Sequence, residues 1–108
     1  MPLALPTPVA TFFAAENEQN LDALAGCFAE HAVVRDEGRT IEGPSDIKQW
    51  MREAKAKYQH TVEPIEVSSR EGKTVVLARV AGNFPNSPLD LEHAFTIEGG
   101  KISSLEIG

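Results

Sequence analysis

Apolar residues near the start of the chain recur with the period of a helix. Val9, Phe12 and Phe13 lie at spacings of three and four, and Glu16 takes the next position on the same face. Thr7 stands directly before a proline, which is typical of an N-cap followed by proline at the first helical position. The pattern therefore predicts an amphipathic helix that Thr7 caps and that ends in the polar stretch 16–20.

Two further helices are predicted before residue 59, with a short strand between them. Asn20 can cap the first of these, and its apolar stripe runs from Leu21 to Phe28. The β-branched segment 32–36 predicts a strand, and residues 37–39 predict a turn. The Gly-Pro-Ser segment 43–45 marks the start of the last helix, which has the clearest apolar stripe of the chain. This stripe consists of Ile47, Trp50, Met51, Ala54 and Tyr58.

After residue 59 the period changes from helical to alternating. Strands are predicted at 61–68, 74–84, 89–97 and 102–107. Turns are predicted at 70–73, at 85–88 and at the two glycines 99–100. Pro64 interrupts the first of these strands and predicts either an edge position or a bulge. Helices followed by a meander of strands indicate the α+β class. We expect one domain over residues 1–108, with an ordered core of about 7–108.

Charge and cysteine content narrow the range of partners and compartments. The 108 residues include 10 basic and 16 acidic side chains, which disfavours binding to nucleic acid or to an anionic membrane. Cys27 is the single cysteine, so an internal disulfide and a cysteine-rich zinc site are excluded. No apolar run approaches the roughly 20 residues that span a bilayer. The uncharged first fifteen residues lack a basic segment and are interrupted by Pro2, Pro6 and Pro8, so we expect a cytoplasmic protein.

Four segments of the chain resemble the nuclear transport factor 2-like superfamily, which includes ketosteroid isomerases and SnoaL-type polyketide cyclases. They are residues 21–36, 43–50, 91–97 and 100–102. The resemblance implies a cone-shaped fold in which three N-terminal helices pack into a curved antiparallel sheet and enclose an apolar pocket. It also implies a small apolar ligand and a homodimer through the convex face of the sheet. Activities on this fold differ widely, so function has to be argued from individual residues.

Asp36 is the first candidate for a catalytic residue, because it ends the apolar strand 32–36. It matches the aspartate that, in the isomerases that the chain resembles, moves a proton between carbons next to a ketone. This chemistry needs a carboxylate in a mainly apolar cavity, where partial desolvation raises its basicity. The alternative is a solvent-exposed acid in the turn that follows the strand.

Glu92 is the second catalytic candidate. It matches the position at which those isomerases carry a protonated aspartic acid that helps to stabilise the enolate. Strand alternation places it on a different face from the apolar set Leu89, Leu91, His93, Phe95 and Ile97. If the apolar set faces the pocket, Glu92 faces away from it. If the apolar set forms a dimer interface, Glu92 faces the pocket, and both arrangements stay open.

Four aromatic residues are expected to contact the ligand: Phe12, Trp50, Tyr58 and Phe84. For Trp50 and Tyr58 the alternative is a purely structural role in the core. Phe12 stands where the isomerases that the chain resembles place a tyrosine on the first helix. Phenylalanine has no hydrogen-bond donor for the substrate oxyanion. Loss of one such donor typically lowers the rate by about 10²–10³, which argues against steroid isomerisation.

The candidate residues are consistent with two functions. One is acid–base catalysis of the isomerase or cyclase type on a small apolar carbonyl compound, with Asp36 as base and Glu92 assisting. We expect neither cofactor nor metal, because His31, His60 and His93 lie on separate elements without the spacing of a metal site. The other function is a non-catalytic, dimeric ligand-binding or interaction domain.

Overall fold

The computed structural model describes residues 4–108, so Pro2 lies outside the described residues. The helices are α1 (Thr7–Glu18), α2 (Leu21–Gly26) and α3 (Gly43–Tyr58). The strands are β1 (Phe28–Asp36), β2 (Arg39–Glu42), β3 (Thr61–Arg70), β4 (Lys73–Ala81), β5 (Leu89–Glu98) and β6 (Lys101–Ile107). Within residues 4–108, no helix is both long and apolar enough to cross a membrane.

The helix ends confirm one predicted cap and correct another. The Asn20 side chain accepts a hydrogen bond from the Ala23 N–H at 3.2 Å, so Asn20 caps α2 as predicted. The prediction that Thr7 caps α1 is wrong, because Thr7 is already helical and Pro6 is the N-cap residue. The helix starts one residue earlier than expected because its first turn tolerates a proline, whose missing N–H has no intrahelical partner there.

The six strands form one curved sheet in the order β2-β1-β6-β5-β4-β3. The fold class is as predicted, and neighbouring strands are antiparallel except β1 and β6, which pair in parallel. The parallel pair arises because α3 carries the chain across to the far edge at β3. The meander β3–β6 then returns to β1 in the same direction as β1.

The turn and edge predictions for the second half of the chain are confirmed, apart from the end of one strand. Pro64 lies in the edge strand β3, at a shift of register between Pro64 and Glu66. The hairpin turns at 71–72 and 99–100 have positive φ at both central residues, as two-residue hairpin turns require. The predicted strand 74–84 ends earlier, at Ala81, because residues 82–88 bend away from the sheet.

The helices pack against the sheet around a core of large side chains without solvent exposure. Phe12 lies at the centre of this core, and its ring meets the rings of Phe13, Phe28 and Phe95 edge to face at 5.3, 5.8 and 5.6 Å. The same layer contains Leu24, Ile47, Met51, Ile102 and Leu105. Burial of each such side chain contributes about 1.5–3 kcal/mol, so this layer fixes the helices relative to the strands.

Candidate functional site

A cavity of about 310 Å³ lies between α3 and the sheet. Its wall is mainly apolar and includes Trp50, Met51, Tyr58, Val80, Phe84 and Leu91. Acidic and histidine side chains also reach this wall, namely Glu16, Asp36, Glu37, His60 and His93. An apolar cavity with a few convergent polar groups is the usual form of a small-molecule site. This cavity is therefore the candidate functional site.

Asp36 lies at the end of β1, where its carboxylate is half-buried in the cavity wall. Burial raises the pKa of Asp36, because the apolar surroundings disfavour the charged form. The Trp50 indole opposes this effect by donating a hydrogen bond from Nε1–H to Asp36 Oδ2 at 3.0 Å. The negative charges of Glu37 and Glu16 raise the pKa further, whereas Arg39 lowers it. The result is a fixed carboxylate that is more basic than an aspartate in water.

Three of the aromatic residues singled out in the sequence border the cavity. Trp50 is buried and belongs both to the core and to the cavity wall. The Tyr58 ring meets the Phe84 ring edge to face at 5.8 Å, and both side chains are half-buried. All three line the cavity, and their contact with a ligand stays a prediction.

The structure places the other two candidates away from the cavity. Glu92 is exposed and accepts a hydrogen bond from Arg70 Nη2 at 2.9 Å. Its chain neighbours Leu91 and His93 line the cavity, so strand alternation turns Glu92 outward and its assignment to the site is corrected. Phe12 is also corrected, because its ring is fully enclosed by other core rings and is not part of the cavity wall.

The structure contains a buried acid–histidine pair at the cavity that the sequence analysis did not predict. Glu16 and His60 are 4% and 8% exposed, and His60 Nε2 lies 2.7 Å from Glu16 Oε2. The pair joins α1 to the residue directly before β3. Glu16 was visible as a charged residue on the apolar stripe of α1. For His60 no local signal existed, because its partner is 44 positions away in the sequence.

His93 is a second buried histidine in the cavity wall, with 3% exposure. Burial lowers the pKa of His93, whereas the Glu16 charge and a 3.2 Å hydrogen bond with the Leu91 carbonyl raise it. The ring also packs against Phe13 and Phe95. Burial dominates, so His93 is neutral at neutral pH, with Nδ1–H donating to the carbonyl oxygen. Its place in the cavity wall, together with that of Leu91, shows that the apolar face of β5 meets the cavity.

Potential metal ligands and the thiol of Cys27 were located in the structure as well. Within the part of the chain that the structure describes, no cluster of three or more potential metal ligands exists. Burial raises the pKa of the Cys27 thiol to about 11, and Sγ–H donates to the Leu24 carbonyl at 2.9 Å. A thiol in that state is a packing group rather than a nucleophile.

The six-stranded sheet, the three helices packed on it and the cavity between them define a nuclear transport factor 2-like protein with a small-molecule-sized pocket. The profile of the SnoaL-like domain family matches residues 9–105. The chain therefore belongs to the SnoaL-like domain family. A search among curated protein sequences found no match.

Solved structures agree with this family. A candidate polyketide cyclase from Sinorhizobium meliloti is 40% identical, with 96% of this chain and 95% of that chain covered and a TM-score of 0.93. A Catenulispora acidiphila protein with a ketosteroid isomerase-like fold, solved with trimethylamine, is 20% identical, with coverages of 97% and 86% and a TM-score of 0.84. A computationally designed 17-OHP binder is 13% identical, with coverages of 94% and 87% and a TM-score of 0.79. The last two likenesses establish the fold alone.

Proposed function

We propose that this protein is an acid–base enzyme of the isomerase or cyclase type that acts on a small, apolar carbonyl compound without a cofactor. The observation that carries the proposal is the half-buried Asp36 carboxylate in an apolar cavity, held by the Trp50 indole. The likeness to a candidate polyketide cyclase at 40% identity supports the cyclase form of this chemistry.

Asp36 is the general base of the proposed reaction. Its carboxylate takes a proton from the carbon next to the carbonyl group, and the C–H electron pair becomes the C=C bond of an enolate. The enolate then regains a proton at another carbon, or its carbon attacks a second carbonyl group and closes a ring. Desolvation brings the pKa of Asp36 closer to that of the carbon acid, which favours proton transfer. Trp50 keeps the carboxylate in place while the substrate binds.

Exchange of substrate protons with solvent tests this proposal without knowledge of the natural substrate. β-Tetralone, a small bicyclic ketone, is incubated with the protein in heavy water, and loss of its α-proton signals is followed by NMR. We expect the wild-type protein to accelerate exchange and Asp36→Asn to abolish that acceleration, because the amide cannot accept the proton. Glu92→Gln is the matched control, since it changes an exposed acid outside the cavity. Equal exchange with wild type and Asp36→Asn would contradict the proposal.

A non-catalytic, dimeric binding domain is the second candidate function. Its support is Phe12, which is buried in the core and supplies no hydroxyl donor for a substrate oxygen. The designed 17-OHP binder supports the idea that this fold can serve for binding alone. On this alternative, ketones raise the melting temperature without any exchange, and sedimentation shows a dimer at low micromolar concentration. A monomer in sedimentation would count against the dimeric form.

A further inference from the structure

Neither residue of the Glu16–His60 pair exchanges a proton with the substrate in the reaction proposed for Asp36. Both residues are more than nine-tenths buried, and both contribute to the wall of the same cavity. Burial of a carboxylate and an imidazole costs free energy that apolar side chains at these positions would avoid. An acid–histidine pair at such a cost, in the wall of a ligand-sized cavity, points to a use in the site.

One polar atom of each residue has no hydrogen-bond partner in the described part of the chain. His60 Nε2 and Glu16 Oε2 bind each other at 2.7 Å. His60 Nδ1 and Glu16 Oε1 are buried and have no hydrogen-bond partner among residues 4–108. Buried polar atoms are normally paired, and both residues line the cavity, so we infer that a molecule bound there supplies the missing partner.

The distribution of hydrogen over Glu16 and His60 determines whether His60 Nδ1 donates or accepts a hydrogen bond. If the pair is an imidazolium and a carboxylate, both ring nitrogens of His60 carry hydrogen. If it is a neutral imidazole and a protonated Glu16, Oε2–H donates to Nε2, and the ring hydrogen is on Nδ1. Both arrangements without net charge therefore make Nδ1–H a hydrogen-bond donor.

One further carboxylate and one ammonium group lie near the pair. Asp36 and Glu16 bring two negative charges, and Lys55 brings one positive charge close to Glu16. The Lys55 ammonium donates a hydrogen bond to the His60 carbonyl oxygen. His93 is neutral because burial lowers its pKa, so it does not change this balance.

Contacts that do not involve the acid–histidine pair hold α1 and β3 together. Asn17 Nδ2 donates to the Val62 carbonyl at 2.7 Å, and Asn17 Oδ1 accepts from the Val62 N–H at 2.8 Å. Gly82 packs so closely on the backbone of His60 that an added Cβ would lie 2.9 Å from His60 Cα. The position of the imidazole is thus fixed before any ligand binds, as a catalytic donor requires.

We propose that His60, oriented by Glu16, is the donor that serves the carbonyl oxygen of the substrate while Asp36 serves the carbon. This inference rests on the function proposed above. As Asp36 takes the α-proton, the C–H electron pair forms the C=C bond and the carbonyl π pair moves to oxygen. His60 Nδ1–H then gives its proton to that oxygen, so the product is an enol. An imidazolium is left as neutral imidazole, and an imidazole paired with protonated Glu16 stays neutral because the Oε2 proton moves to Nε2. Return of both protons restores the resting protein. His60 thereby supplies the donor that Phe12 lacks.

A spectroscopic probe tests the donor separately from the base. para-Nitrophenol is planar and apolar, resembles an enol, and changes colour when its oxygen loses the proton. We expect wild-type protein and Asp36→Asn to bind it as the phenolate at a pH where free para-nitrophenol is still protonated, because His60 Nδ1–H donates a hydrogen bond to the anion while the phenol proton goes to solvent. His60→Gln should bind it without this colour change. Glu16→Gln, which keeps an acceptor for His60 but loses the carboxylate, should weaken this stabilisation and move the pH midpoint of the colour change upward, toward that of free para-nitrophenol.

Exchange of β-tetralone protons provides the second readout. His60→Gln should lower the exchange rate by about 10²–10³, the usual cost of one lost oxyanion donor. Circular dichroism of each variant establishes that it is folded, and none of the substitutions changes Asn17 or Val62, whose hydrogen bonds join α1 to β3. If His60→Gln left colour and exchange unchanged while Asp36→Asn abolished exchange, the donor inference would be overturned and the proposed function would stand. If Asp36→Asn kept full exchange while the colour change depended on His60, the assignment of Asp36 as the base would be overturned. The assignment of His60 as the donor would stand. No binding of para-nitrophenol to wild type would overturn the donor inference.

Discussion

Replacement of Trp50 by phenylalanine removes the indole N–H that donates to Asp36 Oδ2 at 3.0 Å and keeps an aromatic ring in the cavity wall. This hydrogen bond lowers the pKa of Asp36, so its loss raises that pKa further. The substitution also lowers stability, and the loss should depend on pH because only the ionised carboxylate makes a charge-assisted bond.

The size of the effect follows from the environment of the bond. Hydrogen bonds to charged groups contribute about 1.5–3 kcal/mol, and the low end applies because Asp36 is only half-buried and water can replace the donor. The smaller ring loses roughly 40 Å² of buried apolar surface, which is about 1 kcal/mol. We therefore expect Trp50→Phe to cost about 2.5 kcal/mol when Asp36 is ionised. With Asp36 protonated, the bond contributes about 0.5–1 kcal/mol and the total loss is about 1.5–2 kcal/mol.

Urea unfolding at about pH 8 and about pH 4 measures this difference, with the unfolded carboxyl titrating near 3.9. Far-UV circular dichroism is the signal, because Trp50 is the single tryptophan and its fluorescence is lost in the variant. Tyr58→Phe is the control, since it alters the same cavity wall but leaves the bond between Trp50 and Asp36 in place. An equal decrease in the free energy of unfolding of Trp50→Phe at both pH values would refute the inference that the indole stabilises the charged form of Asp36.

Three further predictions concern stability and reactivity. Because the folded-state pKa of Asp36 is raised, its ionisation destabilises the protein as pH rises from the unfolded value of about 3.9 through the folded value. Asp36→Asn should thus be at least as stable as wild type at about pH 8 in urea unfolding, and a clear loss would contradict the raised pKa. Gly82→Ala should cost about 1–3 kcal/mol, because its Cβ would lie 2.7 Å from the Tyr58 carbonyl oxygen. The control Gly26→Ala, with nothing within 4 Å of its Cβ, should be neutral or gain about 0.4–1 kcal/mol. Cys27, whose thiol pKa is raised to about 11, should react with iodoacetamide at about pH 8 only after unfolding; rapid labelling of the folded protein would contradict its burial.

Local patterns were sufficient to predict most elements of this fold. The stripe from Ile47 to Tyr58 and the alternation after residue 59 are properties of neighbouring residues, and they gave α3 and the β3–β6 meander. β2 was missed because only Ile41 of its four residues is buried, so no alternation of apolar residues is visible. The parallel pairing of β1 with β6 depends on the path of the whole chain and has no local signature.

Only those site residues could be predicted whose position in a local sequence pattern indicated a role. Asp36 could be found from its place at the end of an apolar strand, although its half-buried state depends on Trp50 from another element. The pairing of Glu16 with His60 is a contact between distant segments, so composition and spacing gave no indication of it. Whether Glu92 belongs to the site depends on which face of β5 meets the cavity. In the structure the apolar face with His93 lines the cavity, so Glu92 points away from it.

The central claim is that a basic Asp36 carboxylate abstracts protons from a bound ketone. The measurement that tests it most directly is the rate of β-tetralone α-proton exchange across pH, recorded in the same samples as the ¹³C shift of the Asp36 carboxyl. We expect the rate and the carboxyl shift to follow one midpoint, which lies above the ordinary aspartate pKa because burial disfavours the charged form. A carboxyl midpoint at or below the ordinary value, or a rate that does not follow the ionisation of Asp36, would contradict the claim.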